Sequence, residues 1–243
     1  MIDGGSTDGS VDIIRRYAGR LAYWVSEPDR GQSDAINKGF ARATGAYWNW
    51  LNADDVLRPG ALRVLAGHLD RQPDVDVVFG NTMFVDRQGR DIFPSMAIPY
   101  DHRVTLYAGN FLPQPSALFR RRLIDRTGPL DATLHYCMDH ELWLRAWSAG
   151  YRFAAIRDCV SGYRLHAASK GVRRPPRLAE EQLDLKRRYG IRLPNRAAET
   201  IVYGALNAVH RMKRRARMTA MYRRPVILPM RVRLWPVVRA GRL

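Results

Sequence analysis

The chain has 243 residues, of which 46% are hydrophobic and 26% charged, a composition that excludes a disordered or fibrous protein. The sequence shows no apolar run of about 18 residues, no secretion signal and only two cysteines, which predicts a cytoplasmic protein without a disulfide framework. The net charge of +17 is uneven: residues 1–169 carry 20 basic and 19 acidic side chains, and residues 170–243 carry 20 basic and 4 acidic ones. The basic segment predicts an anionic partner, such as lipid headgroups, nucleic acid or a phosphorylated substrate.

The first 95 residues alternate between helical and strand patterns. Apolar residues at helical spacing predict helices over 10–18, 32–43 and 59–69, and β-prone runs predict strands over 21–26, 47–51 and 75–85. Residues 86–90 are typical of a hairpin turn. Because strands alternate with helices, we predict an α/β domain with a mainly parallel sheet.

The remaining chain divides into two parts. Over residues 100–169 we predict strands at 116–119, 151–156 and 160–165 and a helix at 139–149; after Lys170 we predict helices at 177–189 and 196–218. The last helix has an apolar stripe formed by Ala198, Ile201, Val202, Ala205, Val209 and Met212. We therefore predict an α/β domain over 1–169 and a basic helical extension over 170–243.

The chain opens on a glycine-rich turn, Asp3-Gly-Gly-Ser-Thr-Asp-Gly-Ser10, between a strand and a helix. Ligands of α/β sheets bind at such strand ends, although a turn with a helix cap accounts for the same residues. A turn of this kind needs an inner strand of the sheet before it, and only Met1 and Ile2 precede Asp3. We therefore expect either a domain truncated at this end or a start that lies further upstream.

Three further polar groups are candidates for chemistry. Asp54 and Asp55 follow a predicted strand, and adjacent carboxylates repel each other unless a cation or water separates them. With a diphosphate completing the shell they suit Mg²⁺ or Mn²⁺, although Asp is also favoured at a helix start. Asp139 lies at the start of a predicted helix, where it serves either as the helix N-cap or as a general base for a hydroxyl group. His166 is either structural or a metal or phosphate ligand.

In their order and spacing these segments resemble the family-2 glycosyltransferases, which have a GT-A fold. The resemblance covers residues 1–169 and rests on five segments: IDGGSTDGS, EPDRGQSDAINKGFARATG, WLNADDVLRPGAL, QPSALFRR and MDHELWLR. It implies a Rossmann-like α/β fold. It also implies transfer of a sugar, with inversion, from a UDP-linked nucleotide sugar to a hydroxyl acceptor in bacterial surface polysaccharide or glycolipid synthesis.

The resemblance also assigns roles by position. Four residues are implied to line the nucleotide site: Asp3, Asp34, Asn37 and Asn52. Three are implied to hold Mn²⁺ or Mg²⁺: Asp54, Asp55 and His166. Asp139 corresponds to the acidic residue that supplies the general base. The chain departs from the family pattern in three ways, which the resemblance leads us to expect as differences at the site. The family's first strand and first helix are missing before Asp3, Asn52 stands where Asp is common, and Met138 stands where Glu is common.

The basic extension allows two interpretations. In one, residues 170–243 lie on the anionic inner face of the cytoplasmic membrane, close to a polysaccharide or lipid-linked acceptor, through the apolar stripe and apolar residues near Trp235. In the other, the stripe packs on the α/β domain and the arginines are solvated. Two alternative functions are a non-catalytic truncated remnant and a nucleic-acid-binding module, although the tail contains no RNA or DNA motif.

Overall fold

A computed structural model describes residues 1–167, 169–170, 175–190 and 196–223. The helices are α1 (Ser10–Tyr17), α2 (Gln32–Arg42), α3 (Ala61–Arg71), α4 (His102–Ala108), α5 (Arg122–Thr127), α6 (Met138–Ser148), α7 (Pro176–Tyr189) and α8 (Arg196–Arg223). The strands are β1 (Ile2–Asp3), β2 (Val25–Ser26), β3 (Tyr47–Trp48), β4 (Val56–Leu57), β5 (Val77–Val85), β6 (Asp91–Ser95), β7 (Ala117–Arg120) and β8 (Phe153–Arg164). The predicted helices are observed with their ends displaced by a few residues. The predicted strands at 21–26 and 47–51 are reduced to two residues each.

The strands form two sheets. β1 pairs with β2, and a larger sheet has the order β3-β7-β5-β8-β4, with β6 on β5. Pairing is parallel in β1–β2 and β5–β8 but antiparallel in β3–β7, β4–β8, β5–β6 and β5–β7. The α/β class is confirmed, whereas the prediction of a mainly parallel sheet is wrong for the described pairings. The predicted turn at 86–90 joins β5 to β6 directly, and so short a connection permits only antiparallel pairing.

The predicted strands at 151–156 and 160–165 are one continuous strand, β8. It pairs with β5 over most of its length, and the register shifts around Asn81. The Asn81 side chain bridges this irregularity, because it donates to the Arg157 carbonyl at 2.6 Å and accepts from the Ala97 N–H at 2.8 Å. The polar stretch that interrupts the apolar pattern is therefore a bulge within one strand.

An aromatic core lies between the large sheet and the helices. Trp143 of α6 is fully buried and stacks on Trp50 with ring centroids 6.4 Å apart, and Phe119 of β7 packs edge-on against both rings. Leu185 of α7 is fully buried in the same core. The predicted boundary at residue 169 stays a prediction, although α7, which follows it, contributes Leu185 to the same core as α6.

α8 packs on the domain through a face other than the predicted stripe. Tyr203 and Leu206 contact the core, and His210 is buried against Phe111. Ile201, Val209 and Met212 of the stripe are 71%, 38% and 62% exposed. The expectation that the stripe packs on the domain is therefore wrong for these three side chains, because the helix presents its opposite side to the core. Residues 224–243, including the apolar residues near Trp235, lie outside the described residues. Within the described residues, no helix is both long and apolar enough to cross a bilayer.

An open cleft of about 510 Å³ is lined by residues of both sheets and of α2. Ile2 of β1 lies on one side and Trp48 of β3 on another, and both strands are edge strands of their sheets. Gln32 and Asn52 line the same cleft, which places it beside the polar residues described next.

Candidate active site

The loop between β3 and β4 presents one carboxylate to a histidine from a distant part of the chain. Asp54 Oδ2 lies 3.0 Å from His166 Nε2. The Asp54 side chain is 41% exposed and that of His166 is 22% exposed, so the pair is accessible to a ligand. Arg164 holds the loop against the end of β8, because its Nε donates to the Asp54 carbonyl at 2.8 Å.

Asp55 faces the interior and supports this loop. It is 6% exposed, and it accepts from the Arg164 backbone N–H at 3.1 Å and from Asn52 Nδ2 at 3.2 Å. Burial is the main cause that raises the pKa of its carboxyl to about 6, and the neighbouring Asp54 charge raises it further. Asp55 therefore joins the loop to β8 from behind the Asp54–His166 pair.

Asn52 starts a hydrogen-bond chain across the site. Its Oδ1 accepts from Gln32 Nε2 at 2.6 Å, and Gln32 Oε1 accepts from Lys170 Nζ at 2.8 Å. Lys170 Nζ also donates to the His135 carbonyl at 2.8 Å, and burial is the main cause that lowers its pKa. These hydrogen bonds link the loop between β3 and β4 to the N-terminus of α2 and to the segment before α6.

Asp139 lies in the first turn of α6, as the sequence predicts. Its Oδ2 accepts from Asn110 Nδ2 at 2.9 Å, and its Oδ1 accepts from the His140 N–H at 2.7 Å. Burial is the main cause that raises the pKa of Asp139 to about 6, although these hydrogen bonds and the Lys170 charge oppose the rise. A carboxylate with such a pKa can accept a proton near neutral pH.

The two acidic regions belong to one neighbourhood. The phenol of Tyr163 has its pKa raised to about 12, mainly by burial and also by the charges of Asp55, Asp139 and Asp54. Lys170 interacts electrostatically with Asp139 while it contacts Gln32. The structure therefore pairs Asp54 with His166 and Asn52 with Asp55. The hydrogen bonds of Lys170 to Gln32 and to the His135 carbonyl connect this loop to the segment that leads into Asp139.

Asp3 organises the first turn of the chain. Its carboxylate accepts from the Ser6 hydroxyl at 2.6 Å, the Ser26 hydroxyl at 2.7 Å and the backbone N–H groups of Gly5 and Ser6. These bonds, that of the Ser6 hydroxyl first, lower the pKa of Asp3 to about 2. The φ of +84° at Gly5 explains the glycine, because residues with a Cβ rarely adopt this conformation.

The two α2 residues expected at the nucleotide site, Asp34 and Asn37, form hydrogen bonds with residues outside the Asn52–Asp55 loop. Asp34 accepts from Arg30 Nη2 at 2.9 Å, and the hydrogen bonds from Arg30 are the largest of the causes that lower its pKa. Asn37 pairs with the backbone of Leu130, donating to its carbonyl and accepting from its N–H, both at 2.8 Å. In the described residues, neither side chain contacts Asn52 or Asp54, so their role at the nucleotide stays a prediction.

The sequence did not single out Gln32, Asn110, Arg164 or Lys170. Gln32 lies within a segment that carries the family resemblance, but nothing in its spacing marks it. The other three reach the site through contacts with residues 29 to 138 positions away. Such long-range side-chain contacts leave no periodic signal in the sequence.

A divalent cation would find two protein ligands at this site. Within the described residues, no group of three or more His, Cys, Asp or Glu side chains could hold a metal ion. Asp54 Oδ2 and His166 Nε2 are nevertheless adjacent and partly exposed, and a carboxylate is a donor that suits Mn²⁺ and Mg²⁺. The pair fits a cation whose remaining ligands are phosphate oxygens and water.

Comparison with protein families identifies a related group. The model of glycosyl transferase family 2 matches residues 1–128, more than half of the chain. An uncharacterized glycosyltransferase from Nostoc sp. is 26% identical over 219 residues, which cover 80% of this chain and 63% of that protein. The chain thus spans less than two thirds of the length of this relative.

Solved structures show the same fold. S. aureus TarS 1-349 in complex with UDP-GlcNAc superposes with a TM-score of 0.62 at 16% identity, covering 92% of this chain and 66% of that one. The mannosyltransferase PcManGT from Pyrobaculum calidifontis, in complex with GDP-Man and Mn²⁺, gives a TM-score of 0.52 at 18% identity, covering 91% and 69%. The expected GT-A architecture is confirmed by this likeness.

Proposed function

Because the chain belongs to glycosyl transferase family 2, we propose that it transfers a sugar from a nucleotide-diphosphate sugar to a hydroxyl acceptor. One observation carries the proposal: Lys170 and Gln32 connect, by hydrogen bonds, the segment that leads into Asp139 with the loop that carries the accessible Asp54–His166 pair. A transferase needs both parts, a base for the acceptor and a positive centre for the leaving diphosphate.

Asp139 is the proposed general base. Its carboxylate takes the proton of the acceptor hydroxyl as the oxygen of that hydroxyl bonds to the anomeric carbon. The bond from this carbon to the nucleoside diphosphate breaks on the opposite face, so the configuration inverts. Asn110 and the His140 N–H hold the carboxylate in one orientation, which aligns the proton acceptor before the acceptor sugar binds.

Asp54 and His166 are the proposed ligands of Mn²⁺ or Mg²⁺. A divalent ion supplies positive charge that stabilises the leaving diphosphate. Asp55 is proposed to support them, since its oxygens accept from Asn52 and from the Arg164 backbone. Its role as a direct ligand stays a prediction.

The donor is proposed to be UDP-linked, and TarS, which has the same fold, was solved with UDP-GlcNAc. Asn52 and Gln32 line the cleft beside the Asp54–His166 pair, and we place the nucleotide against them. Asp3 is proposed to contact the base, and the residues of α2, Asp34 and Asn37, to border the pocket.

We also propose that the acceptor is a surface polysaccharide or a lipid-linked sugar at the inner face of the cytoplasmic membrane. The supporting observation is the exposed apolar row on α8, formed by Ile201, Val209 and Met212. Arg211, Lys213 and Arg215 lie on the same helix and are exposed. An apolar row next to basic side chains matches an anionic bilayer surface.

The test is a transfer assay on the purified chain with radiolabelled UDP-sugars and GDP-sugars, with lipid-linked saccharides as acceptors. We expect release of UDP and labelled product in the presence of Mn²⁺, and loss of both with EDTA. Asp139→Asn is the matched negative control. A wild-type chain that releases no more nucleotide than Asp139→Asn from any donor would contradict the proposed function and favour a non-catalytic remnant.

A further inference from the structure

One buried carboxylate outside the residues discussed so far collects three backbone hydrogen bonds. Glu181 of α7 is 7% exposed. Its Oε1 accepts from the N–H of His135 at 2.9 Å, and its Oε2 accepts from the N–H of Tyr136 at 2.8 Å and of Cys137 at 2.9 Å. Successive N–H groups that converge on one anion confine the backbone that carries them.

The confined residues lead directly into the helix that carries Asp139. α6 begins at Met138, and Asp139 lies in its first turn. Cys137, at the N-cap position, makes no side-chain cap hydrogen bond, and its own N–H donates to Glu181, so the carboxylate holds the backbone immediately before the helix. Only Met138 separates Cys137, the last residue whose N–H donates to Glu181, from Asp139.

The segment 135–137 is also held from the side of the nucleotide cleft. Lys170 Nζ donates to the His135 carbonyl at 2.8 Å and to Gln32 Oε1 at 2.8 Å. Glu181 is itself anchored, because Arg177 Nε lies 3.2 Å from its Oε1. The segment is therefore fixed between α7 on one side and α2 on the other.

We infer that Glu181 is a positioning residue for sugar transfer: it holds segment 135–137 so that Asp139 meets the acceptor hydroxyl in one orientation. The inference rests on the proposed role of Asp139. If Glu181 has this role, α7, which follows the predicted domain boundary, contributes a positioning residue to the active site. Proton transfer depends steeply on distance and alignment, so a loosened segment lowers the rate of transfer more than it lowers donor binding.

Glu181→Gln is the main variant, and Glu180→Gln is its control, because Glu180 is the adjacent residue, carries the same charge and is exposed. Glutamine offers one acceptor oxygen in place of two. In the full-length chain we expect at least one amide among residues 135–137 to exchange hydrogen about tenfold faster in Glu181→Gln. The exchange rates of Glu180→Gln should equal those of wild type.

The kinetic readout separates positioning from general stability. We expect Glu181→Gln to lower kcat for transfer by about tenfold or more and to leave KM for the donor within about twofold. In an Asp139→Asn background the same substitution should cause no further loss, because a residue that acts through the base has nothing left to position. A full additional loss in that background would overturn the inference, as would transfer equal to that of Glu180→Gln.

Three outcomes keep the test decisive. If Glu181→Gln does not fold, Arg177→Gln is used in its place, because loss of the Arg177 side chain loosens the Glu181 carboxylate without removing it. A normal kcat in Arg177→Gln, despite faster amide exchange at 135–137, would overturn the inference. A wild-type chain that transfers no sugar, while its amides at 135–137 exchange slowly, overturns the proposed function and with it the catalytic role of Glu181, but leaves the hydrogen bonds of Glu181 to segment 135–137 in place. A wild-type chain that transfers sugar while its amides at 135–137 exchange freely overturns the inference about Glu181 and leaves the proposed function standing.

Discussion

The side-chain amide of Asn110 donates to Asp139 Oδ2 at 2.9 Å, so the proposed base is held by a residue 29 positions earlier in the chain. The other oxygen accepts from the His140 N–H, which leaves the carboxylate little freedom to rotate. Burial still dominates its electrostatics and raises its pKa to about 6. An oriented carboxylate whose pKa is raised to about 6 meets the requirement for the proposed general base at neutral pH.

The pH dependence of transfer should report this pKa. Asp139 is active when ionised, and its raised pKa means that the proton is lost only as pH rises through about 6. We expect kcat/KM to fall about tenfold per pH unit below that value and to level off above it. The measurement is a pH–rate profile from pH 4.5 to 8.5 under conditions where the chain stays folded. A profile that stays flat down to pH 5 would contradict the assignment.

Replacing each of two carboxylates on α6 by its amide should affect a different property, transfer for Asp139 and stability for Glu141. Asp139→Asn removes the proton acceptor, and we expect transfer to fall by about 10²–10⁴-fold with nucleotide binding intact. Glu141 is buried, and its Oε1 accepts from Arg145 Nε at 3.0 Å and from the Tyr189 hydroxyl at 2.6 Å. Glu141→Gln should instead lower the free energy of unfolding by about 1–3 kcal/mol.

Thermal melts and single-turnover assays on both variants separate the roles. If Asp139→Asn unfolds or transfers normally, the carboxylate serves only as part of the helix start.

Removal of the Asp54 carboxylate should abolish the effect of Mn²⁺ on nucleotide binding and on turnover. We expect Asp54→Asn to lower turnover at least about 10²-fold, because the leaving diphosphate loses its main electrostatic stabiliser. Mn²⁺ should then no longer strengthen nucleotide binding, as measured by calorimetry with and without EDTA. Asp55→Asn is the comparison: a retained Mn²⁺ response identifies Asp55 as a support of the loop through Asn52 and the Arg164 backbone, and a lost response identifies it as the direct ligand that the resemblance implies. Equal metal responses in wild type and Asp54→Asn would refute the site.

The exposed row on α8 should bind anionic vesicles. We expect the chain to co-sediment with phosphatidylglycerol-containing liposomes and not with neutral ones, and to dissociate as salt rises. Ile201→Gln combined with Met212→Gln should weaken binding, because both side chains are largely exposed and would enter the bilayer surface. Ile13→Gln is a control, since Ile13 is 50% exposed on α1. Absence of the wild-type chain from both pellets would discard the membrane interaction.

The order of the elements and the family were readable from the sequence, because they depend on local spacing. The glycine-rich turn at Asp3, the hairpin turn after β5 and the start of α6 near Asp139 follow from residues that are adjacent in the chain. Backbone requirements of turns and helix ends act over a few residues, so their signals survive in a single sequence. The pair Asp54 and His166 entered the same predicted site only through the resemblance.

Contacts between distant residues were decided by the tertiary structure alone. Nothing in the sequence pairs Glu181 with His135, Asn110 with Asp139, or Lys170 with Gln32, because each contact depends on how helices pack. The same holds for α8, whose most regular apolar row faces outward while Tyr203 and Leu206 meet the core. Periodicity shows that a helix has an apolar side, but the shape of the surface against which it packs determines which side is buried.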